Sequence, residues 1–111
     1  MDRSVLLDHV RRTRLPPGRR AKARNDARQI AAFLKQQGAS RVVGIGSAFV
    51  LERRFTWRSD IDLAVAGLPV ESFFSVSARA EELTEFHIDI IPIESATESM
   101  RRTIREDGVD L

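Results

Sequence analysis

The sequence predicts an α/β domain in which one short sheet is backed by helices. Apolar residues recur at helical spacing between Arg19 and Gln37. Three short runs rich in β-branched residues, Arg41 to Ile45, Asp60 to Ala66 and His87 to Ile91, lie between turn residues. The elements run helix, strand, strand, helix, strand, helix, an interleaving that suits a single sheet with helices packed on it.

Ser4 to Arg12 is compatible with a short helix carrying Val5, Leu6, His9 and Val10 on one side, and Leu15-Pro16-Pro17-Gly18 then breaks the chain. Residues 1–18 are therefore expected to form an extension to a domain spanning 19–111. In the next helix Ala23, Ala27, Ile30, Ala31 and Leu34 share one face, and Gly38 is placed to end it in a left-handed cap. Arg41 to Ile45 reads as a buried strand running into a Gly46-Ser47 turn, and Ala48 to Arg58 as a short helical turn followed by a loop.

Asp60 to Ala66 is the second strand, ended by Gly67-Leu68-Pro69. Val70 to Thr84 then places Phe73, Phe74, Val76, Ala80 and Leu83 along one helix, with Pro69 tolerated at its start. His87 to Ile91 is the third strand, stopped by Pro92. Ser95-Ala96-Thr97-Glu98 matches a capping box for a last helix that buries Met100 and Ile104 and ends at Gly108.

At 111 residues the chain has room for one core. The absence of cysteine excludes disulfides, thiolate metal sites and cysteine nucleophiles. No secretory leader is visible, and no apolar run approaches the roughly 20 residues of a spanning helix, so a soluble, cytoplasmic protein without a membrane partner is expected. The net charge of +2 conceals an asymmetry. Met1 to Arg58 holds 14 Lys and Arg against 4 Asp and Glu, a net +10, and Ser59 to Leu111 holds 4 against 12, a net −8. Most of the cations are arginines, whose planar fork suits phosphate or an acidic partner. An RNA-binding role for the first half follows from the same residues but is not favoured.

The chemistry concentrates in Ser59-Asp60-Ile61-Asp62-Leu63-Ala64-Val65. On a strand, successive side chains alternate faces, so Asp60 and Asp62 project together while Ile61, Leu63 and Val65 enter a core. Adjacent carboxylates repel, and an oxygen-ligated divalent cation such as Mg²⁺ relieves that repulsion. Asp89, between Ile88 and Ile90, points away from both and shares a face with His87 and Ile91. With the third strand beside the second, Asp89 joins Asp60 and Asp62 in a set able to hold two ions for displacement at phosphorus. Gly46 and Ser47, at the end of a strand, offer backbone N–H groups and a hydroxyl to phosphate. His87 reads as structural, and Phe55 and Trp57 as locally packed aromatics.

The segment VVGIGSAFVLERRFTWRSDIDLAV, followed by FHIDIIPIE and the ending ESMRRTIREDGVDL, resembles the minimal nucleotidyltransferases of the DNA polymerase β-like superfamily from about Arg19 onward. The resemblance implies a short mixed sheet backed by helices. It also implies a nucleotide triphosphate gripped by Gly46 and Ser47, two Mg²⁺ ions on Asp60 and Asp62, and Asp89 completing the metal site and helping to deprotonate the acceptor hydroxyl. The expected reaction moves a nucleoside monophosphate, AMP from ATP, onto a hydroxyl of a partner protein. Members of this family commonly serve as antitoxins that adenylylate a HEPN ribonuclease toxin encoded beside them, and nothing resembling a separate acceptor-binding domain fits in this length.

The sequence departs from the family pattern after Ser47. The stretch from Ala48 to Ser59 is longer than usual, and Ala48-Phe49-Val50-Leu51 stands where small and basic residues are common. That departure motivates a second reading, an inactive nucleotidyltransferase-fold module that neutralises its partner by covering it. Arg53, Arg54 and Arg58 are the candidates to restore phosphate contact, and sequence does not choose among them.

Overall fold

The computed structural model describes residues 18–50, 53–56 and 60–111. The expected helix at Ser4 to Arg12, and Trp57, Arg58 and Ser59, lie outside the described residues.

Helix α1, Arg19–Gln36, buries Ala23, Ala27, Ile30, Ala31 and Leu34, the face expected from its periodicity. It ends as a Schellman motif. Gly38 has φ +115°, its N–H donates to the Lys35 carbonyl, and the Ala39 N–H reaches back to that of Leu34. Strand β1, Arg41–Ile45, is buried on both faces beyond its first residue.

Strand β2, Ile61–Ala66, pairs antiparallel with β1, and strand β3, Ile88–Pro92, pairs parallel with β2. A parallel neighbour needs a crossover, and α2, Phe73–Glu81, supplies it after a 3₁₀ turn at Val70–Ser72. Pro92, expected to stop β3, is its last paired residue, opposite Val65. Because β3 is an edge strand, the missing N–H of proline costs no ladder bond there.

Helix α2 is shorter than its sequence predicts. Only Val76 and Ala80 are buried, Phe73 is half-buried, and Phe74 and Leu83 are 83% and 45% exposed. The cause is local. The Glu82 and Leu83 N–H groups bond three residues back, tightening and ending the helix before a further apolar turn can reach the sheet.

A second 3₁₀ turn, Ile93–Ser95, precedes α3, Glu98–Asp107. The cap expected at Ser95 is instead Thr97, whose hydroxyl accepts from the Met100 N–H at 3.2 Å. Gly108 ends α3 in extended backbone rather than in a left-handed cap. A Cβ there would stand 2.3 Å from the Ile104 carbonyl oxygen and 2.5 Å from Val43 Cγ1, so glycine lets the chain pass close to β1. It leads into a fourth strand absent from the sequence expectation, β4, Val109–Asp110, antiparallel to β1.

The sheet order is β3-β2-β1-β4. On one face, Val42, Ile61, Leu63, Val65 and Ile88 meet α1 together with Val76 and Ala80 of α2. On the other, Val43, Ile45 and Ala64 meet Ile104, with Met100 and Ile91 at the margin. Full burial of a side chain such as Ile30, Leu34 or Leu63 contributes about 1.5–3 kcal/mol. No helix among the described residues is long and apolar enough to cross a membrane.

Candidate active site

The register of β2 and β3 sets the site. Asp62 lies opposite Asp89, and the two side chains fall on the α3 face, since Ile61, Leu63 and Ile88 take the other. Asp60 and His87 precede them by two residues each and share that face by strand alternation. The Ile61 N–H donates to the His87 carbonyl at 2.9 Å, and His87 Nδ1 stands 3.5 Å from Asp60 Oδ2. Sequence reading left His87 as a structural residue. The structure puts it on a carboxylate, because parallel pairing at an offset that sequence does not reveal aligns positions 60 and 87.

Gly46 closes the site from β1. Its neighbour Ile45 is the cross-strand partner of Asp62, so the chain turns directly over that carboxylate. Gly46 has φ +79°, and a Cβ added there would sit 2.4 Å from Asp62 Oδ2. Glycine is thus required both by the backbone and by the space. The Gly46 carbonyl accepts the N–H groups of Phe49 at 3.0 Å and Val50 at 2.9 Å, forming one turn of helix that starts at Ser47.

Two of the apolar residues after Ser47 have a packing role. Ala48 and Phe49 are buried in the α1-side core, and the Phe49 ring lies over Gly44, where a Cβ would meet it at 2.5 Å. The loop continues to Arg53, whose carbonyl accepts from the Arg20 guanidinium. Phe55 then packs edge-on against Phe86 with centroids 6.0 Å apart, and the Arg19 guanidinium lies 4.4 Å over the Phe86 ring. Arg19 and Lys22 also pair with Glu85. Contacts from α1 therefore hold both the loop at Arg53 and the Glu85-Phe86 segment that leads into β3.

Burial and, after it, the charges of Asp60 and Asp89 push the Asp62 carboxyl up to about 6, while His87 and Arg53 act in the opposite sense. This raised proton affinity reports that the three carboxylates feel one another. They do not form a finished cage: among the described residues no three His, Asp or Glu side chains are gathered closely enough to hold a metal ion. Neighbouring strands lie about 4.8 Å apart, which sets the backbone spacing of Asp62 and Asp89. Of the loop arginines, the field of Arg53 reaches Asp62, and Arg58 lies outside the described residues.

No family model and no curated relative matches the sequence. Solved structures do match the fold. A protein assigned as a minimal nucleotidyltransferase aligns with TM-score 0.67 and 22% identity, over 83% of this chain and 95% of that one. A complex of tri-AMPylated Shewanella oneidensis HEPN toxin with its MNT antitoxin aligns with TM-score 0.59 and 16% identity, over 79% and 70%. A toxin-antitoxin structure with AMP-PNP aligns with TM-score 0.62 and 17% identity, over 76% and 70%. With its mixed sheet, its crossover helix and its Gly-Ser turn above paired aspartates, this chain has the minimal nucleotidyltransferase fold.

Proposed function

We propose that residues 19–111 form a Mg²⁺-dependent nucleotidyltransferase that moves AMP from ATP to a hydroxyl of a HEPN-type toxin, acting in the cytoplasm as its antitoxin, with residues 1–18 as an extension. The observation that carries this reading is the in-register pair Asp62 and Asp89, with Asp60 beside them and the Gly46 turn directly above. AMP-PNP in one structural neighbour and an AMPylated HEPN toxin in another support the choice of nucleotide and partner.

The residues fit magnesium. Hard carboxylate oxygens on one face, one of them already raised in proton affinity by burial and then by the other two, are the donor set that a divalent cation stabilises. Asp60 and Asp62 would hold two ions and Asp89 one of them; when bound, the ions neutralise phosphate charge and make the α-phosphorus more electrophilic.

Gly46 and Ser47 present backbone N–H groups and a hydroxyl to the triphosphate. Asp89, exposed on the edge strand, accepts the proton of the acceptor hydroxyl. The acceptor oxygen forms a bond to the α-phosphorus, the bond from that phosphorus to the bridging oxygen breaks, and its electron pair leaves with pyrophosphate.

Incubation of the purified protein with ATP, Mg²⁺ and the HEPN protein encoded beside it, followed by intact-mass measurement, tests the proposal. Addition of AMP mass to the partner, lost in Asp60→Ala, is expected. No added mass with the wild-type protein, or addition that survives Asp60→Ala, overturns it. Full neutralisation of the toxin by an Asp60→Asn, Asp62→Asn variant would put occlusion of the partner in its place.

A further inference from the structure

We infer that a pocket between β1 and α3, apart from the paired aspartates, binds a phosphate monoester. Its wall is made by Arg41, Ile93, Arg101, Ile104 and Arg105, and its volume is about 210 Å³. That is smaller than the roughly 300–1,000 Å³ of a pocket that takes a whole drug-sized ligand, and it suits one phosphate group with the first atoms of what carries it. The place is separate from the candidate active site. Arg41 pairs with Ala66 at one end of the β1–β2 ladder and Ile45 with Asp62 at the other, roughly 13 Å along the strand.

Two of the three cations are set in position. Arg101 Nε donates to the Ala96 carbonyl at 3.2 Å and its Nη2 to the Glu94 carbonyl at 3.3 Å, while Arg41 Nε donates to Asp110 Oδ1 at 3.0 Å. Each fork keeps further N–H groups for a ligand. Arg105 forms no ion pair among the described residues, and no Asp or Glu belongs to the wall. The nearby Glu94 carboxylate is turned away, accepting the Gly67 N–H at 2.6 Å. Folding alone does not favour this arrangement. Arg101 and Arg105 stand one turn apart on α3, a spacing at which like charges destabilise a helix, and β1 brings a third cation to them.

Charge selects the ligand. Three guanidiniums less the Asp110 carboxylate leave +2 at the pocket, and a phosphate monoester carries about −1.5 to −2 near neutral pH. A carboxylate or a phosphate diester, with a single charge, leaves the arginines under-neutralised. The apolar side chains of Ile93 and Ile104 between the arginines strengthen the field felt by an anion there, and planar forks meet phosphate oxygens two at a time.

Amide and arginine Nε–H spectra of the protein, titrated with inorganic phosphate, with a phosphoserine peptide and with dimethyl phosphate, test this on the wild type and on Arg105→Ala, Arg105→Lys and Arg102→Ala, after melting curves confirm that all fold. Saturable shifts at residues 93–96 and 101–105 are expected with phosphate and the phosphopeptide, and affinity at least about 10-fold weaker for dimethyl phosphate. Arg105→Ala weakens phosphate by roughly 10-fold, the scale of a hydrogen bond to a charged group; Arg105→Lys recovers part of the loss, and Arg102→Ala, outside the wall, behaves as wild type. Tighter binding of the phosphopeptide than of phosphate identifies a phosphorylated chain as the bearer of the group, and the reverse order a free phosphate compound. Absence of saturable shifts at these residues in the wild type, equal affinity for dimethyl phosphate, or wild-type affinity in Arg105→Ala overturns the inference.

Discussion

Asp62 and Asp89 stand opposite each other across the parallel strands β2 and β3, and the Gly46 backbone lies against the first of them so closely that no side chain fits between. A pair of like charges held together by strand register, with a backbone turn as its roof, is costly to the folded protein and useful to a site that takes up cations.

That roof makes Gly46→Ala a sharp test. Alanine would have to adopt φ +79° and place its methyl on the Asp62 carboxylate. The variant is expected to lose about 1–3 kcal/mol of stability by denaturant titration, and to lose AMP transfer along with it.

The cost of crowding Asp62 depends on pH. Its carboxyl titrates near 6 when folded against 3.8 when free, so the folded state binds the proton more tightly and Asp62 lowers stability as pH rises from about 4 to 6. Asp62→Asn is expected to stabilise the protein at pH 7.5 by about 1 kcal/mol, once the solvent reaching this half-buried group is allowed for, with the advantage gone at pH 4. Urea midpoints of both proteins at the two pH values check it. Competition with the proton should also weaken Mg²⁺ binding as pH falls below about 6.

Phe49 links the turn to the core. Truncating it empties the space over Gly44, and Phe49→Ala is expected to cost about 3–5 kcal/mol, read from chemical denaturation. A cost near zero would mean that the apolar stretch after Ser47 is not a packing element.

The start of α3 separates two hydroxyls. Thr97→Ala removes the group that accepts from the Met100 N–H and should destabilise by about 1 kcal/mol. Ser95→Ala, in the preceding 3₁₀ turn, should stay within about 0.5 kcal/mol of wild type. Paired thermal melts decide between them.

Much of this architecture was legible in local pattern. The helical spacing of Ala23, Ala27, Ile30 and Leu34 marks α1, and the β-branched runs mark β1 to β3, because a buried face dictates periodicity over several residues. Strand alternation likewise places Asp60 and Asp62 on one side, and Asp89 with its back to Ile88 and Ile90. What escaped is long-range or very short. Val109–Asp110 is too brief to show a period, and the Phe73, Phe74 and Leu83 stripe looks like a core face although Phe74 is exposed at the start of α2 and Leu83 lies beyond its end. The offset that aligns Asp62 with Asp89 and Asp60 with His87, and the loop path that brings Arg53 within range, depend on how distant segments meet, which no local spacing encodes.

The burial of Phe49 beneath the turn has a further consequence. The amides of Ser47 and Ala48 share a hydrogen-bonded segment with a ring locked into the same apolar layer as α1, so the turn cannot loosen unless the protein's interior opens. A ligand arriving there meets a surface already organised by folding and has little ordering entropy left to overcome.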